Sequence, residues 1–293
     1  MKLFSGTSNR PLAASVAKER GITLGNVEIT RFIDNECRVF VQENVAGEDV
    51  FVLQSLSIVA DQNLVELCLL GSALKDLGAK KVTAIIPWMG YSKQDKAFRK
   101  GEAVSIQLVA KFIEAAGFDR VITVELHSSE VLKFFHVPIT EISTHEVLRK
   151  ALDLTDFVVV SPDKGGTSRS ERFAKEAGED IAYLQKNRDL ASGEVTIRSM
   201  EGDVSGKCVV IFDDIINTAE TAVKTSRFVK QRRAKEVYFL ATHAVLAGDA
   251  SQKLAHSDID RIVVTDTIVV PKEKQFDKLT VISVSHELAS KIA

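Results

Sequence analysis

Short, almost wholly apolar runs rich in β-branched residues recur along this chain, and helical patterns lie between them. The runs are Val50–Leu53, Val82–Ile86, Val121–Val124, Phe157–Val160, Cys208–Phe212, Val237–Ala241 and Ile262–Val264. Continuous apolar strands of this kind suit a parallel sheet covered on both faces, because a strand with one wet face would alternate instead. The intervening segments carry the helical period. Leu67, Leu70, Leu74 and Leu77 recur at steps of three and four, with Asp61 placed as N-cap and Gly78 as terminator. Ser105–Ala116 repeats the pattern before Gly117. The expected class is therefore α/β, with two similar domains built on mainly parallel sheets. The first half is expected to end near Glu141, and His145–Ala151 to form the first helix of the second. Tyr183–Ser199 mixes charge with weak alternation and reads as a surface loop or hairpin.

Gross composition narrows the partners. The 293 residues are 45% hydrophobic and 27% charged with a net charge of -2, which suits an ordinary globular core and offers no basic footprint for nucleic acid. No apolar stretch approaches ~18 residues, so no membrane span is expected. No secretory leader is evident, and the cytoplasm is the expected compartment. Cys37, Cys68 and Cys208 lie far apart, an odd number without metal-ligand spacing. Cys68 and Cys208, inside apolar runs, are expected to behave as buried small hydrophobes.

Four of the strand runs are followed by polar residues of interest: Gln54, His127, Asp163, and the pair Asp213–Asp214. Ligands of parallel sheets gather at these carboxyl ends. After the two aspartates comes Ile215-Ile216-Asn217-Thr218-Ala219-Glu220-Thr221 and then a helical pattern. Two readings of this run stand side by side. A loop entering a helix offers free N–H groups and threonine hydroxyls to a phosphate, with the acids facing sugar hydroxyls. Alternatively, Thr218 caps an ordinary helix, with Thr221 in the box position.

The run from Asp213 to Thr221 resembles the ribose-phosphate loop of the phosphoribosyltransferase folds. With it go LFSGTSNRPLA, RFIDNECRVFVQENVAGEDVFVLQS, YSKQDK, VELHS, VVVSPDKGG, ATHAVLAGDA and VVTDTI. In that order, these blocks resemble the ribose-phosphate pyrophosphokinases over essentially the whole chain. The resemblance implies two phosphoribosyltransferase-like domains, residues 1–141 with the ATP-site segments and 142–293 with the sugar-phosphate loop. The last ~15 residues are a candidate for packing on the first domain.

The implied reaction moves the β,γ-diphosphoryl group of ATP to the C1 hydroxyl of ribose 5-phosphate, giving 5-phosphoribosyl 1-diphosphate and AMP. The implied cofactor is Mg²⁺, held by His127 and Asp163. Asp34, Asn35 and Glu36, typically reaching a neighbouring subunit, and Lys93, Gln94 and Asp95 are implied to bind ATP. Lys186 and Arg188 match the family's mobile catalytic loop. Arg188, Asp213, Asp214, Asn217, Thr218, Ala219, Glu220 and Thr221 are implied to hold ribose 5-phosphate. A homo-oligomer, dimer or hexamer, is implied as well. The chain departs from the family pattern in places. Lysine replaces arginine at Lys93 and Lys96, losing the planar fork. Asn217 stands for an aspartate and Glu220 for a glycine. These changes leave two other readings open, a non-catalytic regulatory relative and a phosphoribosyltransferase.

Overall fold

The computed structural model describes residues 1–162, 167–188 and 195–292. The chain runs β1 (Lys2–Ser5), α1 (Arg10–Arg20), β2 (Val27–Arg31), β3 (Cys37–Val41), β4 (Asp49–Leu53), α2 (Ala60–Asp76), β5 (Lys81–Ile86), α3 (Ser105–Ala115), β6 (Arg120–Val124) and β7 (Ile139–Ile142). It continues with α4 (His145–Leu152), β8 (Phe157–Ser161), α5 (Thr167–Ala177), β9 (Asp180–Arg188), β10 (Val195–Glu201), β11 (Cys208–Ile216), α6 (Glu220–Gln231), β12 (Glu236–Ala244), α7 (Ala250–Ala255), β13 (Arg261–Thr265), β14 (Leu279–Ile282) and α8 (Ser285–Ala289). Each apolar run read from the sequence lies in a strand, and the class is α/β.

The chain divides into two compact units. One comprises Met1–Ser143, Thr267–Val269 and the segment from Ser283 onward; the other comprises Thr144–Asp266 and Val270–Ile282. The first holds a parallel sheet in the order β1-β4-β5-β6-β7 and a separate antiparallel ribbon, β2-β3. Its terminal helix α8 packs on α1, and the Arg20 guanidinium donates to the Ile292 carbonyl at 2.7 Å. Local chemistry explains α1. Asn9 accepts from the Leu12 amide, Pro11 occupies the first turn, and Gly21 closes the helix at φ 69°.

The second unit holds the order β10-β9-β8-β11-β12-β13-β14, parallel except for the β9-β10 hairpin. Its central strand is β11, where Val209, Val210, Ile211 and Phe212 are fully buried. Alternation splits them between two layers. Val209 and Ile211 pack with Ala222 and Val229 of α6, while Val210 and Phe212 pack with Leu148 of α4 and Phe173 of α5. Phe173 and Phe212 stack at 4.3 Å between centroids. Each such side chain contributes about 1.5–3 kcal/mol on burial, so the end of β11 is a firmly anchored point.

Some local expectations fail for identifiable reasons. Asp61 does not cap α2; the helix starts from Val59 in a left-handed conformation, and Asp61 lies in the first turn, accepting from the Tyr91 hydroxyl. The strand carrying Asp213–Asp214 does not stop at Phe212. Pairing with β12 continues to Ile216, so both acids belong to the strand. Cys68 and Cys208 are half-buried rather than interior, because Cys68 lines a groove between α2 and α3 and Cys208 opens β11.

Candidate functional site

In the second unit, β8 is followed through α5 by β9 on one side, and β11 then adds on the other side of β8. The winding therefore reverses between β8 and β11. At such a switch point the two crossovers leave on opposite faces and open a crevice at the carboxyl ends of the strands. The opposite placement of α5 and α6 about β11 is the packing consequence. The elements ending here are β8, whose next expected ligand Asp163 lies outside the described residues, and β11, with Asp213 and Asp214.

The two acids are not equivalent. Asp214 shares the face of Phe212 with α5, and its side chain is 1% exposed; Asp213 shares the face of Ile211 with α6 and is 16% exposed. Arg169 of α5 bridges them. Its Nη1 donates to Asp214 Oδ1 at 2.9 Å and approaches Asp213 Oδ1 at 3.4 Å. Asp213 Oδ1 also accepts from the Asp214 amide at 2.9 Å. Arg169 escaped the sequence reading because an arginine in the first turn of a helix carries no signal of its own. Only the fold brings it to β11.

Beyond the acids, the chain leaves the sheet at Asn217, whose carbonyl accepts from the Ala247 amide at 2.9 Å. Thr218 is exposed, and α6 begins at Glu220. Thr218 is not its cap. The N-cap is Ala219, left-handed at φ 64°, with no side-chain hydrogen bond to the first turn. A phosphate would supply the acceptors that such a helix end lacks. Glu220 is exposed on the first turn and Thr221 half-buried. The left-handed residue is Ala219, while Glu220 has an ordinary helical backbone. The loop therefore needs no glycine at 220 for its conformation; a glycine there would matter only for close approach of a ligand.

Lys186 and Arg188 lie on β9, their backbones paired in register with Ile197 and Val195 of β10. The segment read as a loop or hairpin is thus an antiparallel ribbon. Register with β8 ends at Ser161–Tyr183, so this part of the ribbon extends past the central sheet.

The other expected residues belong to the first unit. Asp34, Asn35 and Glu36 form the tip of the β2-β3 hairpin, all exposed, with Asn35 left-handed at φ 72°. Asp34 Oδ1 accepts from the Glu36 amide at 3.2 Å, and the Arg31 guanidinium donates to the Asn35 carbonyl at 3.0 Å. Phe32 and Ile33 are exposed beside them, an apolar surface that the sequence pattern did not single out. Lys93, Gln94 and Asp95 follow a turn at Tyr91, and Gln94 Oε1 accepts from the Ser105 hydroxyl at 2.6 Å. His127 is half-buried just after β6, where Glu125 turns the chain at φ 34° and the Leu126 amide donates to Glu141 Oε1 at 2.7 Å. Among the described residues no three His, Cys, Asp or Glu side chains form a metal-sized group. An imidazole such as that of His127 can serve as one ligand of a cation that keeps most of its water.

Gln54, another strand-end residue, is not open to a ligand. It is fully buried, accepts from the Ser8 amide and hydroxyl, and donates to Glu66 at 2.8 Å. Glu66 in turn accepts from the Thr7 amide at 2.6 Å.

Residues 1–117 match the family model for the N-terminal domain of ribose phosphate pyrophosphokinase, and residues 155–293 match the phosphoribosyl synthetase-associated domain. A ribose-phosphate pyrophosphokinase of Bacillus caldolyticus is 37% identical over 295 residues, covering 100% of this chain and 93% of the relative. One from Burkholderia pseudomallei is 40% identical over 277 residues, covering 93% and 87%. The crystal structure of a phosphoribosylpyrophosphate synthetase from Mycobacterium smegmatis superposes with a TM-score of 0.93 at 35% identity, covering 99% of this chain and 97% of that one.

Proposed function

This chain belongs to the ribose-phosphate pyrophosphokinases, and we propose that it carries out their reaction in full as a ribose-phosphate diphosphokinase. It transfers the β,γ-diphosphoryl group of ATP to ribose 5-phosphate. The C1 hydroxyl oxygen of the sugar bonds to the β-phosphorus. The bond from that phosphorus to the α,β-bridging oxygen breaks, AMP departs with the electron pair, and the hydroxyl proton passes to solvent. The products are 5-phosphoribosyl 1-diphosphate and AMP. The observation that carries this reading is the end of β11. Two acids and a helix N-terminus without a side-chain cap meet at the switch point of a parallel sheet.

In this reading the 5-phosphate lies against the first turn of α6, taking the free N–H groups and the hydroxyls of Thr218 and Thr221. Asp213 accepts from the ribose diol, and the exposed Glu220 carboxylate tunes phosphate affinity by like-charge repulsion. Lys186 cancels charge that develops on the transferred group, and Arg188 clasps its oxygens and those of the sugar phosphate. Asp34, Asn35 and Glu36, presented by a neighbouring subunit of a homo-oligomer, and Lys93, Gln94 and Asp95 position ATP. His127 and Asp163 would hold Mg²⁺, which neutralises phosphate charge when bound. No described helix is long and apolar enough to cross a membrane, and a cytoplasmic location suits a reaction between two phosphorylated metabolites.

The test is product analysis by ³¹P NMR with ATP, Mg²⁺ and ribose 5-phosphate. AMP and 5-phosphoribosyl 1-diphosphate are expected in equal amounts. ADP formed in step with a ribose bisphosphate would show transfer of a single phosphoryl group and refute the proposal.

A further inference from the structure

We infer that Arg169 is a positioning residue for the sugar, dividing the acid pair of β11 into a buried anchor, Asp214, and a ligand-facing carboxylate, Asp213. The inference deepens the proposed reaction and rests on it. Neighbouring residues of a strand point to opposite faces, so two adjacent carboxylates cannot ordinarily serve one ligand alike. Here the faces differ in kind. Asp214 points into the layer formed by α4 and α5, on the side of the stacked Phe173–Phe212 rings, with its side chain 1% exposed. Asp213 lies on the side of α6, whose first turn is the candidate phosphate site.

A carboxylate as buried as Asp214 needs a cation, and Arg169 meets it at 2.9 Å. The same Nη1 stands 3.4 Å from Asp213 Oδ1, which also accepts from the Asp214 amide. Both contacts fall on one oxygen of Asp213. They restrict the rotation of that carboxyl group, on the face of the strand that α6 covers. Arg169 is itself held in place. It stands on the first turn of α5, whose following two turns carry Arg172 and Glu176, and these two flank the buried imidazole of His145 at 3.4 and 2.7 Å. The guanidinium, 12% exposed, is engaged by both acids, and the role inferred for it is to hold Asp213.

Steady-state kinetics and thermal melting of three variants test the inference. Arg169→Met is expected to raise KM for ribose 5-phosphate about 10- to 100-fold, the range for losing a charge-assisted hydrogen bond, while KM for ATP stays at the wild-type value. Arg169→Lys, which keeps the charge without the fork, should recover part of that loss. The double variant Arg169→Met/Asp214→Leu removes both buried charges. It should regain the melting temperature that Arg169→Met loses, yet keep the raised KM for ribose 5-phosphate. A double variant whose KM returns to the wild-type value would show that Arg169 serves only to neutralise Asp214. Arg169→Met with an unchanged KM, or with equal loss for both substrates, would also overturn the inference while leaving the proposed reaction intact. A wild-type protein that forms no product from ribose 5-phosphate would overturn the reaction and the inference together.

Discussion

Glu66→Leu is expected to destabilise the first unit by about 1–3 kcal/mol, because it takes the closer acceptor from the buried side-chain amide of Gln54. Gln54 Nε2 donates to Glu66 Oε1 at 2.8 Å and would keep only the longer contact to the Asn63 carbonyl at 3.4 Å; the Thr7 amide, 2.6 Å from the same oxygen, belongs to an exposed residue that water can reach and adds nothing to the figure. The Thr7 hydroxyl also donates to this carboxyl group, but it can rotate to another acceptor and is not counted. Glu66 and Gln54 are 1% and 0% exposed, so water is a poor substitute. Leucine keeps the volume, which separates the polar effect from a cavity effect. Trp88 supplies a local probe. It is the chain's only tryptophan, it is buried, and its amide donates to Ser55 Oγ within the same polar network. Urea unfolding followed by its fluorescence therefore reports on the first unit. Glu66→Gln, which keeps one acceptor but sets an amide donor against Gln54, should fall between wild type and Glu66→Leu. A loss below about 1 kcal/mol for Glu66→Leu would mean that the Gln54 amide is satisfied by another partner, and the argument for a closed network around Gln54 would fail.

Three other outcomes are expected. Lys186→Ala should lower turnover about 100-fold or more with both substrates still binding, as for removal of a focused electrostatic donor; near-normal turnover with only weaker ATP binding would mark a ground-state contact. Glu220→Gln and Glu220→Gly should both tighten ribose 5-phosphate binding in titration calorimetry at matched ionic strength, and unchanged dissociation constants would show that the carboxylate does not meet the ligand. Burial pushes the Cys68 thiol up to about 11. A raised value keeps the thiol protonated as pH rises, so at pH 8.5 alkylation of Cys68 by iodoacetamide should run about a hundredfold below a free cysteine, and should approach it only as pH nears that value.

What the sequence discloses and what it hides divide along physical lines. Strands buried on both faces, such as β8 and β11, are visible as apolar runs because both side-chain rows are dry. The β2-β3 ribbon stayed hidden, since its residues are largely exposed and no core face writes a pattern into them. Asp213–Asp214 and the loop to Thr221 were legible as a candidate site because they resemble a known sugar-phosphate loop; the residue pattern alone left a ligand loop and an ordinary capped helix side by side. Taking strand ends as ligand sites misread Gln54, where the network partners Thr7, Ser8 and Glu66 come from β1's exit loop and from α2, distant in sequence. Arg169 was missed for the same reason in reverse. Its meaning depends on a crossover that brings α5 over β11, and no local spacing encodes that. Whether α6 is capped could not be read either, because Ala219 takes a left-handed conformation that alanine composition does not announce.

The most direct test is a crystal structure of the protein with ribose 5-phosphate bound. The expected density places phosphate oxygens within hydrogen-bond reach of the first α6 amides and of Thr218 and Thr221, with the ribose diol on Asp213 and Asp214 still joined to Arg169. Density for the sugar away from the end of β11, or a diol on Asp214 with Arg169 displaced, would contradict the assignment of this site.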